Sequence, residues 1–393
     1  MRLAAAALAL LTGLATACEP NWIDNSVEVD VFISQARWSA VCVAFKNDHD
    51  GKDTLRTYTA QKIVEHPEVA EATQCACDAV MDWPHGPYDA AVVDGFKGSR
   101  RDDLTACVLP ALAESMPAEE RTRLVTQIGD IASPSAYAKM VELSADTSES
   151  TAVRAAAVRS LMAVRDDHKA DLMARLKDDP APEVRAEAAA VFENVKDDDV
   201  VAALVDAAKD DDDGLVRAAA LKAVVKLKID ETDAMVCDLM MNDPDERVRD
   251  RAVRSFKGSK RRVALDCLKK RLLTEEKSDA VRKSTLKAIY ASPDDYAPKV
   301  LCDAVGPFVR MYIDEVPVHK QPDSDAYDIV KHQNNRDFEN THDCAKRALS
   351  QGGHSCWGKW YLADWVERMG GNAFKPTCKG MDPANAGQVI SFE

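Results

Sequence analysis

Two short motifs, His342-Asp-Cys344 and His354-Ser-Cys356, carry the residue types that hold zinc, imidazole nitrogen and thiolate sulfur. Their spacing matches no familiar zinc site, and in an exported chain such cysteines favour pairing with one another. The disulfide reading is therefore preferred, and no metal or other cofactor is assigned. The remaining thiols are Cys18, Cys42, Cys75, Cys77, Cys107, Cys237, Cys267, Cys302 and Cys378, which brings the total to 11. Cys77 and Cys107, like Cys237 and Cys267, stand 30 positions apart (107 − 77, 267 − 237). Helices packed at ~8–10 Å bring facing Cα atoms within disulfide reach. The favoured bridges are Cys42–Cys75, Cys77–Cys107 and Cys237–Cys267, leaving Cys302 to the C-terminal cysteines 344, 356 and 378. Cys75-Ala-Cys77 lacks the two-residue spacer of a redox motif, so a structural pairing is expected there.

Acidic runs offer little chemistry. Lys209-Asp-Asp-Asp-Asp-Gly214 places Lys209 where a calcium loop needs its first acid, which leaves a solvated, capped turn. No nucleophile elbow, phosphate loop, H-E-x-x-H or dinucleotide fingerprint occurs. No catalytic residue is nominated and no enzyme is expected.

One spacing is regular. Val-Arg recurs with its arginine at 154, 185, 217, 249 and 282, at intervals of 31 to 33. An acid stands six positions before four of them: Asp179 before Arg185, Asp211 before Arg217, Asp243 before Arg249, Glu276 before Arg282. Before Arg154 that place is held by Ser148. The regularity predicts a ladder of ion pairs between stacked turns. Exposed pairs contribute only ~0–1 kcal/mol each, so the ladder's role would be register.

The elements that must position this ladder are helices. After each Val-Arg comes an Ala-rich run; Val184, Ala188 and Val191 make one stripe at i, i+4 and i+7. A second apolar run follows, such as Leu265, Leu268 and Leu272, and an Asp-rich turn closes each unit of about 32 residues. Asp and Asn in the turns suit helix starts, and Pro180 and Pro244 cannot continue the helix before them. Weaker units open near Arg56, Tyr88 and Arg121. The expected fold class is all-α, an α-α superhelix with repeats over 37–310, clearest over 145–290, and a Cys- and Trp-containing helical cap at 311–393. One helix pair cannot bury its stripe alone, so neighbours must stack.

Such units resemble HEAT repeats, in particular the short bacterial kind also named after phycobilisome lyase. The resemblance implies Asp and Arg side chains stacked between repeats and second helices lining a concave, protein-facing surface. Arg175, Lys177, Asp206, Lys209, Lys269 and Lys270 fall on those helices.

Composition agrees with a helical, folded chain: 393 residues, 46% hydrophobic, only 6% aromatic. A net charge of −15 argues against nucleic acid or an anionic membrane surface as partner. Residues 1–17 read as an export signal: Arg2, an apolar run to Leu14, then Ala15-Thr16-Ala17. Leu14-Ala-Thr-Ala-Cys18 resembles a bacterial lipobox, displaced by one position in its leucine. Giving Cys18 to lipid leaves ten cysteines, an even number, which favours a lipid-anchored envelope protein over plain secretion. Residues 18–36 are read as a tether. The expected function is a scaffold that binds an unidentified protein partner, in contact with a membrane only through its lipid. An enzyme with a C-terminal metal or thiol site, a lyase-type relative and a structural envelope spacer are the competing readings. Oligomeric state is not assigned.

Overall fold

The structure is a computed structural model that describes residues 23, 25–46, 53–82, 86–113, 116–227, 232–297, 299–300, 303, 348–350, 359 and 362–363. Among the described residues there are helices and turns and no strand. The fold class is all-α, built as repeated helix pairs of the solenoid type. The expected signal peptide, Cys18, Cys302, Cys344, Cys356, Cys378, His342 and His354 lie outside the described residues, as does nearly all of 311–393. No helix among the described residues is long and apolar enough to cross a membrane.

The chain divides into two compact units, Met1–Val191 and Phe192–Glu393. The first opens with α1 (Ser26–Ser34) and α2 (Trp38–Cys42). Within the expected tether, 18–36, residues 26–34 form a helix. Asn25 accepts a hydrogen bond from the Glu28 N–H to cap it, and Val29 joins a core cluster with Ile23, Val41 and Leu55. Burying that apolar surface is what turns the segment from tether to element. Helix pairs then follow: α3 (Asp53–Val64) with α4 (Ala70–Met81), α5 (Ala90–Gly95) with α6 (Asp102–Val108), α7 (Ala118–Ile131) with α8 (Pro134–Ala145), and α9 (Thr151–Ser160) with α10 (Lys169–Asp178). The unit closes on α11 (Pro182–Val191). First helices α3, α5, α7, α9 and α11 pack in one row; second helices α4, α6, α8 and α10 form the other.

The packing follows the apolar stripes. On α7, Leu124, Val125, Ile128 and Ile131 are fully buried at i, i+1, i+4 and i+7, each side chain stabilising by ~1.5–3 kcal/mol relative to exposure. Small residues set how closely rows approach. A Cβ on Gly95 would lie 2.4 Å from Ala60 Cβ and 2.7 Å from the Thr57 carbonyl oxygen, so α5 can rest on α3 only with glycine there. Ser133 and Ser150 cap α8 and α9 through their hydroxyls.

The second unit repeats the plan with α12 (Asp198–Asp210), α13 (Gly214–Lys226) and α14 (Thr232–Asn242), α15 (Glu246–Ser255) and α16 (Arg262–Leu272), and α17 (Asp279–Tyr290). First helices α13, α15 and α17 stack, and α14 packs on α16. Val216, Ala220, Leu221 and Val224 of α13 and Leu265, Leu268 and Leu272 of α16 supply the core. Asp197, Asp213, Asp245 and Ser278 cap the four helices that follow them.

Candidate interaction surface

The ladder is present, and its connectivity carries a shift. In the second unit Arg217 forks onto Asp243, Nε to Oδ2 at 2.8 Å and Nη2 to Oδ1 at 2.8 Å, while its Nη1 donates to the Asp211 carbonyl at 2.7 Å. Arg249 does the same to Glu276, at 2.9 and 2.8 Å, with Nη1 on the Asp243 carbonyl at 2.8 Å. Each arginine therefore gives its planar fork to the acid of the next repeat and its third nitrogen to the backbone of its own. The acid six positions earlier offers its carbonyl, not its carboxylate. The carboxylates are also anchored locally: Asp179, Asp211, Asp243 and Glu276 accept the N–H two positions on, at 2.8 to 2.9 Å. Arg185 and Arg282 likewise donate Nη1 to the carbonyls of Asp179 and Glu276.

The first unit extends the ladder beyond the acid-Arg pairs that sequence spacing nominated. Arg154 forks onto Asp179 at 3.3 and 3.0 Å, both groups buried, and its Nη1 reaches the Glu149 carbonyl at 2.7 Å. Glu149, one position after Ser148, takes the place of the missing acid and receives the fork of Arg121. At the start of the unit Arg56 Nε lies 3.0 Å from Asp89 Oδ2, both buried. That N–H does not point at the oxygen, and neither atom is hydrogen-bonded. The signal for these rungs was an arginine 25 to 33 positions before an acid, which a search for the fixed offset of six cannot see.

The electrostatics separate the rungs. Hydrogen bonding to Asp243 and Glu276 raises the Arg217 and Arg249 guanidiniums above their ordinary value, against the cost of burial. Burial pushes Glu276 upward, but the hydrogen bonds from Arg249 and from the Ser278 N–H outweigh it and hold the carboxyl below its usual range. Asp89 goes the other way: burial raises it, and Arg56 and two backbone N–H groups only partly compensate. Guanidiniums that keep their protons, facing carboxylates already filled with donors, hold repeats in register and offer no proton for chemistry.

The six described cysteines join neighbouring second helices. Cys42–Cys75, Cys77–Cys107 and Cys237–Cys267 are bonded, with Cα atoms 5.9, 5.2 and 5.7 Å apart. Among the described residues no three His, Cys, Asp or Glu side chains group as a metal site. Of the second-helix polar residues, Lys177, Asp206, Lys209 and Lys270 are exposed. Arg175 is half-buried 3.8 Å from Asp179, and Lys269 pairs with Asp303 at 2.8 Å.

A feature that sequence reasoning missed lies on the turn between first and second helices. Phe96-Lys-Gly-Ser-Arg-Arg101 and Phe256-Lys-Gly-Ser-Lys-Arg261 are near-copies 160 positions apart (256 − 96), and the bonded pair Cys77–Cys107 sits at the same offset from Cys237–Cys267. Both turns fold alike. The phenylalanines are buried, Gly98 and Gly258 adopt φ of 71° and 72°, and the serine N–H donates to the phenylalanine carbonyl at 3.1 and 3.0 Å. That left-handed φ calls for glycine. Their charges differ. Lys97 pairs with Asp130 at 2.9 Å, and Arg101 with Asp103 at 2.6 Å and with the Thr73 hydroxyl. In the second turn Arg261 pairs with Asp233 at 2.7 Å, while Lys257 and Lys260 are exposed and make no ion pair with a described residue. The signal was a match at five of six positions, five repeat lengths apart, too long a period for a search at 32.

Comparison with known families places the strongest likeness in the middle of the chain. Residues 106–189 and 170–255 match the family model of HEAT repeats, beginning before the stretch 145–290 where the Val-Arg pattern is sharpest and ending inside it. None of the curated proteins matches the chain. Residues 106–255 therefore carry HEAT repeats, set within an all-α helical-repeat frame.

Proposed function

We propose that this chain is an exported, lipid-anchored helical-repeat scaffold that binds a protein partner through the exposed surfaces of its repeats and performs no catalysis. The observation that carries the binding role is the ladder. Within each unit it fixes successive helix pairs in one register, so their exposed side chains form a continuous, preorganised array. Preorganisation lowers the entropy cost of engaging an extended ligand. HEAT repeats over 106–255 support the same reading, since such repeats are often protein-interaction modules. Three disulfides between neighbouring second helices support an oxidising, extracytoplasmic address, because cytoplasmic reductants keep thiols open. Lipid on Cys18 would be the link to the membrane.

Cross-linking and pull-down of the chain from detergent-solubilised envelope tests the binding role. A stoichiometric protein partner is expected; recovery of the chain alone refutes it. Intact-mass analysis without reduction tests the address. The expected chain begins at Cys18 with acyl mass added and carries Cys42–Cys75, Cys77–Cys107 and Cys237–Cys267 closed.

A further inference from the structure

The net charge of −15 hides a reversal: between positions 247 and 287 there are 15 Lys and Arg against 5 Asp and Glu, a local balance of +10. Much of this charge is committed. Arg249 belongs to the ladder, Arg254 pairs with Asp250, Arg261 with Asp233 and Lys269 with Asp303. Arg262 lies over the Tyr296 ring at 3.0 Å. Lys257 and Lys260 have no such commitment among the described residues, and they stand on the turn that rims a cavity of about 450 Å³. The lining includes apolar Val225, which is half-buried, and Val236 and Phe256, each 1% exposed. The lining also carries Lys257, Ser259 and Arg261, and Asp233 there is paired with Arg261 at 2.7 Å.

The twin turn shows which residues the fold itself needs. Phe, Gly and Ser recur because the turn is built from a buried ring, a left-handed backbone and a serine that accepts the Arg101 or Arg261 N–H, at 3.4 and 3.2 Å. The lysine does no such work in either copy. In the first unit Lys97 is satisfied by Asp130; in the second unit Lys257 faces the open cavity.

We propose that the turn 256–261 and its cavity form a binding site for an acidic peptide segment bearing an apolar side chain. The side chain enters the cavity that Val225, Val236 and Phe256 help to line, and flanking carboxylates meet Lys257 and Lys260. This rests on the reading of the chain as a protein-binding scaffold and names the chemistry of its partner. A cavity of several hundred Å³ accommodates one large side chain, and charge at its lip sets orientation and encounter rate.

The test uses the full mature chain and a fluorescein-labelled nonapeptide of glutamates with a central phenylalanine, read by anisotropy. Saturable binding is expected, weakened about tenfold or more by Lys257→Glu/Lys260→Glu and by serine in place of the peptide's phenylalanine. The matched variant Lys97→Glu/Arg100→Glu, with circular dichroism confirming both folds, should change binding by no more than about twofold. Absence of saturation by about 1 mM peptide overturns the proposal. So do equal losses in the two double variants, or Lys257-dependent binding to phosphatidylglycerol vesicles without binding to the peptide. If an envelope partner is still captured in full by Lys257→Glu/Lys260→Glu, this site falls and the scaffold reading stands; if the unmodified chain captures nothing, the scaffold reading itself falls.

Discussion

The rung Arg56–Asp89 near the start of the first unit and the rung Arg217–Asp243 in the second solve one problem with different tools. Arg217 is bidentate, both its fork bonds at 2.8 Å, and its third nitrogen is fixed to backbone. Arg56 brings charge to Asp89 without an aligned hydrogen bond, and Asp89 is raised by burial as a result. Around the weaker rung stand two disulfides, Cys42–Cys75 and Cys77–Cys107. The described repeats from α7 to α11 contain no disulfide and rely on the forks of Arg121 and Arg154. Covalent staples and geometric forks are thus separate ways to hold a helix pair that cannot fold alone, and the second unit uses both, Cys237–Cys267 beside the forks of Arg217 and Arg249. A staple acts mainly on the unfolded chain, whereas a fork acts only once the turn is formed.

The contrast can be broken most sharply at Arg217. Arg217→Ala leaves Asp243 buried without its partner and is expected to cost ~3–5 kcal/mol, read from urea unfolding of the second unit. Arg217→Met with Asp243→Leu should recover most of that loss, because a buried pair contributes specificity more than net stability. Arg56→Ala is expected to cost less, since Asp89 is already biased toward its neutral form and keeps its two backbone donors. Equal losses at Arg56 and Arg217 would erase the distinction.

Opening a staple comes next. Cys77→Ser/Cys107→Ser removes a link closing 30 residues and should cost ~2–4 kcal/mol. Hydrogen exchange is expected to accelerate in α4 and α6 and to stay unchanged in α7–α9; uniform acceleration would show that the staple supports the whole unit. Gly95→Ala forces α5 off α3 and is expected to cost ~1–3 kcal/mol. Gly98→Ala has open space around its Cβ and suffers only from its φ of 71°, so ~1 kcal/mol is expected.

The smallest effect is also the most diagnostic, because Asp89 of the Arg56 rung and Glu276 of the Arg249 rung titrate with opposite sign. Glu276 is held below the 4.5 of an ordinary glutamate, so its contribution is complete above that pH and is lost as pH falls through the lower folded value. Asp89 is raised above 3.8, so its ionised form penalises the fold at neutral pH, and the penalty fades as acid protonates it. Glu276→Gln should therefore flatten the acid loss of stability, and Asp89→Asn should flatten an opposing gain, both visible in unfolding midpoints between pH 3 and 6. The same sign for both variants would contradict the electrostatic difference between the rungs.

Much of this was legible in linear order. Helix pairs every 32 residues follow from apolar periodicity and Asp-rich breaks, and the cysteine separations of 30 and 33 correspond to adjacent second helices. These are local or evenly repeated properties, and a string displays them directly. The helix at 26–34 was harder to see, because its few apolar residues gain their meaning only from Val41 and Leu55 beside them.

What distance along the chain could not convey is which group meets which. An acid six positions before an arginine looks like its partner, yet stacking places that acid's carboxylate on the preceding arginine and leaves the nearer arginine its carbonyl. Likewise two nearly identical Lys-Gly-Ser turns meet different partners: Asp130 stands beside Lys97, and a cavity beside Lys257. Side-chain type and backbone propensity are inherited residue by residue. Partner identity, burial and the cost of a charge depend on what the neighbouring repeat brings within a few ångströms, and that exists only after the helices have packed.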